Sequence, residues 1–428
     1  MTYAFPKVVV EAGFTVTDPP GTLLHLDDAV LGLLDTGTLA GDENWEDLSD
    51  AGWTREVTIT RGSNRVESPL IKYEAGTATI ELDNRDRRFD PTHLGGPYVA
   101  AGRTQLMPMR PIRIRATWAG VTYDLYRGYA DDWQPSWDHP TMSVTTVPCF
   151  DAFEALANNS RAAVAAVGAG ETTGQRIHRI LDSAGWSPIH RLISMGDSTV
   201  QATTLEGEAL AELQRVADSE LGELYVDGAG RVVFRNRRAL LTDSRSNTSQ
   251  ATFGDDRAAG ELPYQDPQAG NDKTQLYNLV RIGRAGGTVQ VTEDTSSREE
   301  FFTRTFERDD LLLETDAEAR DYAAWILHIS REPELRFAQI TINPMRNPTE
   351  LFPQVLGREI GDRITVIRRP PGGGDPVVRD CFIRGIVHEI KQARWRTTWT
   401  LQSATKVSSF VTLDHPSLGQ LDANALAY

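Results

Sequence analysis

With 428 residues the chain exceeds what one hydrophobic core usually serves, so its length implies two to four domains. A formal charge of −16 repels phosphate backbones and excludes a gripping role on DNA, which needs clustered Lys and Arg. Two distant cysteines, Cys149 and Cys381, exclude a disulfide framework and fit a reducing cytoplasm; no window nears the roughly 20 apolar residues that span a bilayer.

In chain order, period-two alternation dominates from Val57 to Val147 and predicts strands, because successive strand side chains point to opposite faces. The clearest runs are TATIEL (77–82), IRIRATW (112–118) and SVTTV (143–147), separated by turn signals such as 118–121 and 137–140. An antiparallel barrel or sandwich follows. After the first run comes DNRDRRFD (83–90), whose Asp83, Asn84, Arg85, Asp86, Arg87, Arg88 and Asp90 invite a metal-loop reading. That reading fails on spacing: the alternate positions from Asp83 are Arg85 and Arg87, and no glutamate closes the loop. Three acids and three arginines neutralise one another, which predicts a salt-bridged structural loop, placed at a contact between subunits.

Past Cys149 the period changes. Ile177, Ile180, Leu181 and Ala184 predict an amphipathic helix, capped by Thr172 or Thr173 and stopped by Gly185. Leu210, Leu213, Val216 and Ala217 predict a second helix ended by Gly222, and Asp227-Gly228 predicts a tight hairpin beyond it. These make a small α/β domain. Residues 247–273, polar and rich in Gly, Pro and Asp, read as a connector. Ala319, Tyr322, Ala323 and Ile326 mark a further helix, strands return in RFAQITIN and RITVIRR, and 404–428 reads as a C-terminal arm.

The two β regions echo each other. YRGYADDW (126–133) matches IRGIVHEI (383–390), each an Arg-Gly step within an alternating run. PIRIRA (111–116) and DRITVI (362–367) precede them, and MSVTTV (142–147) and RTTWTL (396–401) follow. Upstream, ATIELDN (78–84) matches AQITINP (338–344), and the charged loop has as its counterpart a second loop, NPMRNPTEL. Four landmarks in one order predict two copies of one β domain, with the shared glycine serving a bend or bulge.

Other motifs carry no chemistry. HEIKQ (388–392) lacks the second histidine of a zinc protease, and GDST (196–199) has a serine without a placed base. GAGETTG (168–174) has neither phosphate-loop spacing nor a following lysine, and PPGGGDP (370–376) reads as a hairpin tip. Asp131 with Asp132, and Asp309 with Asp310, are strand neighbours on opposite faces, so neither pair makes a glycosidase couple. No catalytic residue, cofactor or metal ion is expected.

The run KYEAGTATIELDNRDRRFDP (72–91) is followed in order by TTGQRIHRILDSAGW, LAELQRVADSELGELYVDGAGRVVFRNR, LYNLVRIGRAGG, AEARDYAAWIL, IGDRITV, FIRGIVHEI and WRTTWTL. This succession, over about residues 45–401, resembles minor tail proteins of siphophages that infect actinobacteria, specifically their tail-tip or baseplate hub group. Residues 19–44 depart from the resemblance as an extra segment. Nothing like the peptidoglycan-cleaving domain of some hubs follows Leu401, which puts cell-wall hydrolysis in doubt.

The resemblance implies a mainly β fold with an α/β insertion: two related tube-like antiparallel β-barrel or sandwich domains plus a small α/β domain. The expected limits are 1–148, 149–245, a connector with strands and one helix at 246–335, 336–403, and the arm 404–428. It also implies a non-enzymatic virion protein at the distal end of the tail, assembled in the host cytoplasm as a homotrimer. Its partners would be the distal tail protein ring, the tape measure protein and other minor tail proteins. Six tube-like domains per trimer would adapt a six-fold tube to a three-fold tip, and DNA would pass on ejection without specific binding or membrane anchoring. Rival expectations are a distal tail protein in a hexameric ring, and a tail enzyme that binds or cuts cell-wall glycan.

Overall fold

The computed structural model describes residues 5–14, 44–100, 102–139, 142–162, 165–270 and 273–405. The extra segment up to residue 43 and the arm from 406 therefore lie outside the described residues. The fold is mainly β, with extensive antiparallel pairing and a few helices. Compactness divides the chain into two interleaved units: Met1–Ile59, Thr77–Asp151 and Glu389–Arg394 in one, and Thr60–Gly76, Ala152–His388 and Trp395–Tyr428 in the other.

In the first unit, neighbouring strands run Thr54–Gly62, Thr77–Asp83, Met142–Phe150, Val121–Ala130, Pro111–Trp118, Lys7–Phe14 and Asn44–Asp47. Alternation sends Ile112, Ile114 and Ala116 of one strand, and Ile80 and Leu82 of another, into a core shared with Val10, Val147 and Phe89. Burying each of these Ile, Leu, Val and Phe side chains contributes about 1.5–3 kcal/mol. Residues 137–139 of the turn expected at 137–140 are instead strand: Gln134–His139 pairs with Met142–Phe150 through Gln134, Pro135, Ser136 and His139, with a register shift between Met142 and Val144.

In the second unit the neighbours run Gln265–Gly270, Arg336–Ile342, Arg394–Ser403, Val377–Lys391, Arg363–Arg368 and Thr252–Phe253. The polar stretch read as a connector thus supplies the two outer strands, which a period-two search misses because one has two residues and the other, QDPQAG, is interrupted by a proline. The four echoed strands occupy matching places: Thr77–Asp83, Met142–Phe150, Val121–Ala130 and Pro111–Trp118 in one order, and Arg336–Ile342, Arg394–Ser403, Val377–Lys391 and Arg363–Arg368 in the other. The first order continues with Thr54–Gly62 on one side and Lys7–Phe14 and Asn44–Asp47 on the other, and the second with Gln265–Gly270 on one side and Thr252–Phe253 on the other.

The α/β part of this unit has helices Thr173–Ser183 and Ala209–Ser219 and a sheet of Arg191–Ile193, Val232–Arg235 and Glu223–Val226. Thr172 caps the first helix, with Gln175 closing a capping box. The second helix ends at Ser219, and the left-handed residue past its cap is Leu221, φ 61°, not Gly222, where a Cβ would lie 2.5 Å from the Phe234 ring. Gly222 is there for close approach. The Asp227-Gly228 turn is longer than expected: Asp227 Oδ1 accepts the Ala229 and Arg231 amides, and the positive φ falls on Gly230. The helix Asp316–Ser330 buries Ala319, Tyr322, Ala323 and Ile326 against Val280, Ile282 and Phe306. The segment counterpart to the charged loop is a short turn and a helix, Pro348–Gly357, because Pro348 occupies the first helical position, where a missing N–H is harmless.

Candidate functional site

The loop 83–90 begins where the strand Thr77–Asp83 buries its last residue. The Asp83 carboxylate receives Arg85 Nε at 2.9 Å, the Arg85 amide at 3.2 Å and Arg55 of the neighbouring strand at 3.0 Å. Burial opposes ionisation of Asp83, but the hydrogen bonds from Arg85 and Arg55 outweigh it and hold the pKa below its ordinary value. Asn84, fully buried, donates its amide to Ser143 O at 2.9 Å and accepts the Phe89 amide at Oδ1 at 2.8 Å. That one side chain closes the loop across five residues.

Arg87 has a left-handed backbone, φ 60°, unfavourable by roughly 1–2 kcal/mol for a residue with a Cβ. The conformation brings its guanidinium onto Asp90 Oδ2 with contacts of 2.9 and 2.7 Å. Thr92 donates twice to the other oxygen, Oδ1. Burial likewise opposes Asp90 ionisation, and the Thr92 and Arg87 hydrogen bonds again lower its pKa overall. Arg88 pairs with Asp86 at 2.9 Å and lies 3.5 Å above the Trp53 ring, while Phe89 stacks on Tyr98 beneath.

The structure therefore brings all seven sequence-predicted residues into one closed network, each arginine on a carboxylate within three residues of it. Arg55, Trp53, Ser143 and Thr145, whose Oγ1 donates to Phe89 O at 3.0 Å, complete it from distant positions. Nothing local in the sequence marks them; strand pairing does. The charges are layered. The Asp83 and Asp90 carboxylates are 9% and 0% exposed, whereas Arg85 and Arg87 are 63% and 53% exposed and Asp86 is 44% exposed, so the outward layer holds two arginines to one acid.

The other motifs have structural explanations. GDST wraps a fully buried carboxylate: Glu220 accepts the amides of Asp197 at 3.0 Å and Ser198 at 3.5 Å as well as the Thr173 hydroxyl. His388 is buried against Thr397 and Trp395, and burial, aided by Arg61, pushes its imidazole down to about 3, so it is neutral. Burial raises both cysteine thiols. Asp131 and Asp132 lie between strands rather than within one, with Asp132 accepting the Trp133 amide at 2.7 Å. Among the described residues no group of three His, Cys, Asp or Glu is placed to hold a metal ion, and no helix is long and apolar enough to cross a membrane.

No protein-family model and no curated sequence matches the chain. Among solved structures it is similar to the 43 kDa tail protein of prophage MuSo2 from Shewanella oneidensis. The match has 16% identity and a TM-score of 0.56, over 94% of this chain and 99% of that one. It is similar also to the tail protein from Neisseria meningitidis MC58, at 11% identity and a TM-score of 0.58, over 94% and 98% of the two chains. The fold is that of a phage tail protein. This tail-protein fold extends over 94% of the chain.

Proposed function

We propose that the chain is a structural, non-enzymatic subunit of a phage tail: the hub that closes the distal tube as a homotrimer. The observation that carries this reading is the repeated strand order, which supplies two like sets of strands per chain. Three chains then present six like sets, matching a six-fold ring above while keeping three-fold symmetry below. The distal tail ring and the tape measure protein are its neighbours in this reading. The formal charge of −16 suits a passage through which DNA slides without being held. The loop 83–90 serves at a subunit contact, its buried carboxylates fixing an exposed pair of arginines.

Native mass spectrometry of the purified chain tests the reading. The expected species is three times the 47.4 kDa chain. A stable hexamer without trimer would establish the distal-ring alternative instead, and release of sugar or peptide from host cell walls would establish an enzyme.

A further inference from the structure

Two aromatic residues, Trp137 and Phe302, are strongly exposed. Trp137 is 58% exposed, and the register shift between Met142 and Val144 sets it in a bulge of its hairpin. Met142, 54% exposed, is close by, because Ser143 Oγ donates to Ser136 O at 2.8 Å. Ser143 also accepts from Asn84, so this apolar pair adjoins the loop whose outer layer is Arg85 and Arg87. The surface is thus aromatic and basic, on a chain whose formal charge is −16.

Phe302 is 84% exposed and has φ 59° and ψ 166°, a backbone region essentially reserved for glycine. The buried Asn278 holds it there, donating to Phe302 O at 2.8 Å and accepting the Arg304 amide at 2.8 Å. Strain that exposes an aromatic ring gains nothing for the core. The ring's role therefore lies outside the chain that carries it. The helix just before it, Thr295–Phe301, bears Glu299 and Glu300, both exposed and in no ion pair among the described residues. Residues 291–335 hold thirteen acids against five arginines, half the formal charge of the chain. This second surface is aromatic and acidic.

We infer that these surfaces bind each other between copies of the chain, head to tail, with Trp137 and Arg87 of one copy against Phe302, Glu299 and Glu300 of the next. Each surface lies wholly within one unit, and the contact joins two different copies. Opposite charge on one polypeptide, each beside an exposed aromatic anchor, selects a second copy as the occupant. A head-to-tail contact closes into a ring when its rotation allows. The inference deepens the trimer reading and rests on it.

The test compares wild-type chain with Trp137→Ala and Phe302→Gly by native mass spectrometry and sedimentation. Each variant is expected to weaken assembly by at least about thirty-fold, the effect of losing a central anchor. Phe302→Gly is also expected to raise the melting temperature of the monomer, since glycine accepts this backbone. Mixing the two variants should yield a one-to-one dimer and nothing larger, because one intact contact can form between them. Raised salt should weaken the wild-type assembly. A wild-type trimer that both variants leave intact would overturn this inference alone, as would retention of duplex DNA by a trimer through Arg87. A chain that stays monomeric at every concentration would overturn the trimer reading as well.

Discussion

The two twin sheets carry the same Arg-Gly step at the same place and use it in opposite ways. Gly128 and Gly385 serve alike: a Cβ at either would lie 2.2 Å from a backbone carbonyl oxygen, of Phe150 in one case and of Ser63 in the other. Their arginines diverge. Arg127 lies 5.4 Å from the centre of the Trp45 ring, which Arg113 also covers at 4.1 Å. Arg384 is buried, paired with Glu223 and bonded to Tyr73 Oη at 3.2 Å and Gln402 Oε1 at 2.8 Å. The backbone requirement is shared, because the close approach leaves no room for a Cβ at either position. The arginine is free to follow what surrounds each sheet.

The largest expected effect comes from breaking the buried member of that comparison. Arg384→Ala leaves Glu223 as a buried carboxylate with Arg235 as its nearest cation at 3.9 Å, and should destabilise by about 3–5 kcal/mol. Arg127→Ala removes a partly exposed stacking contact and should lose about 0.5–1 kcal/mol. Denaturant melts of both variants measure the gap, and equal losses would mean that the two arginines share one role. Next in size, Gly128→Ala and Gly385→Ala should each destabilise by about 1–3 kcal/mol through overpacking against a fixed carbonyl. Tolerance of either change, with hydrogen exchange of its strand unaltered, would break the equivalence of the sheets.

Much of this comparison was legible in the sequence, since the four landmark strands fall in one spatial order in both units. The outer strands were not: Gln265–Gly270 contains Pro267 and two register shifts, so its alternation is interrupted where it would be read. The helix Pro348–Gly357 hid behind three prolines, at 344, 348 and 353. Within the loop 83–90, the charges announced local pairing because their partners lie two or three residues away. Arg55 and Ser143 were silent, because only strand pairing carries them there. Trp137 reads as part of a turn, and nothing marks Phe302, because neither exposure nor a positive φ is written in residue type.

The smallest effect, and the finest test of the comparison, concerns Asp83 and its counterpart Asn343. Both side chains accept the amide two residues ahead, Arg85 at 3.2 Å and Met345 at 3.1 Å, so the same turn is built once with a carboxylate and once with an amide. The difference is a proton. With its folded pKa below the unfolded value, Asp83 leaves the unfolded chain binding more protons in the interval between them. Its contribution is therefore full above about pH 4 and is lost as pH falls through the folded value. Asp83→Asn should keep the turn, lose the pairs with Arg85 and Arg55, and destabilise by about 1–2 kcal/mol at pH 7, with a shallower acid loss in the first unit. Asp90 keeps its own share of that loss. Asn343→Asp should change little at pH 7, because methionine stands where the first sheet has Arg85. Melts at pH 7 and pH 3, read strand by strand through hydrogen exchange, decide it. If Asp83→Asn retains the full acid slope, the carboxylate is incidental to the turn and the two sheets differ there in sequence alone.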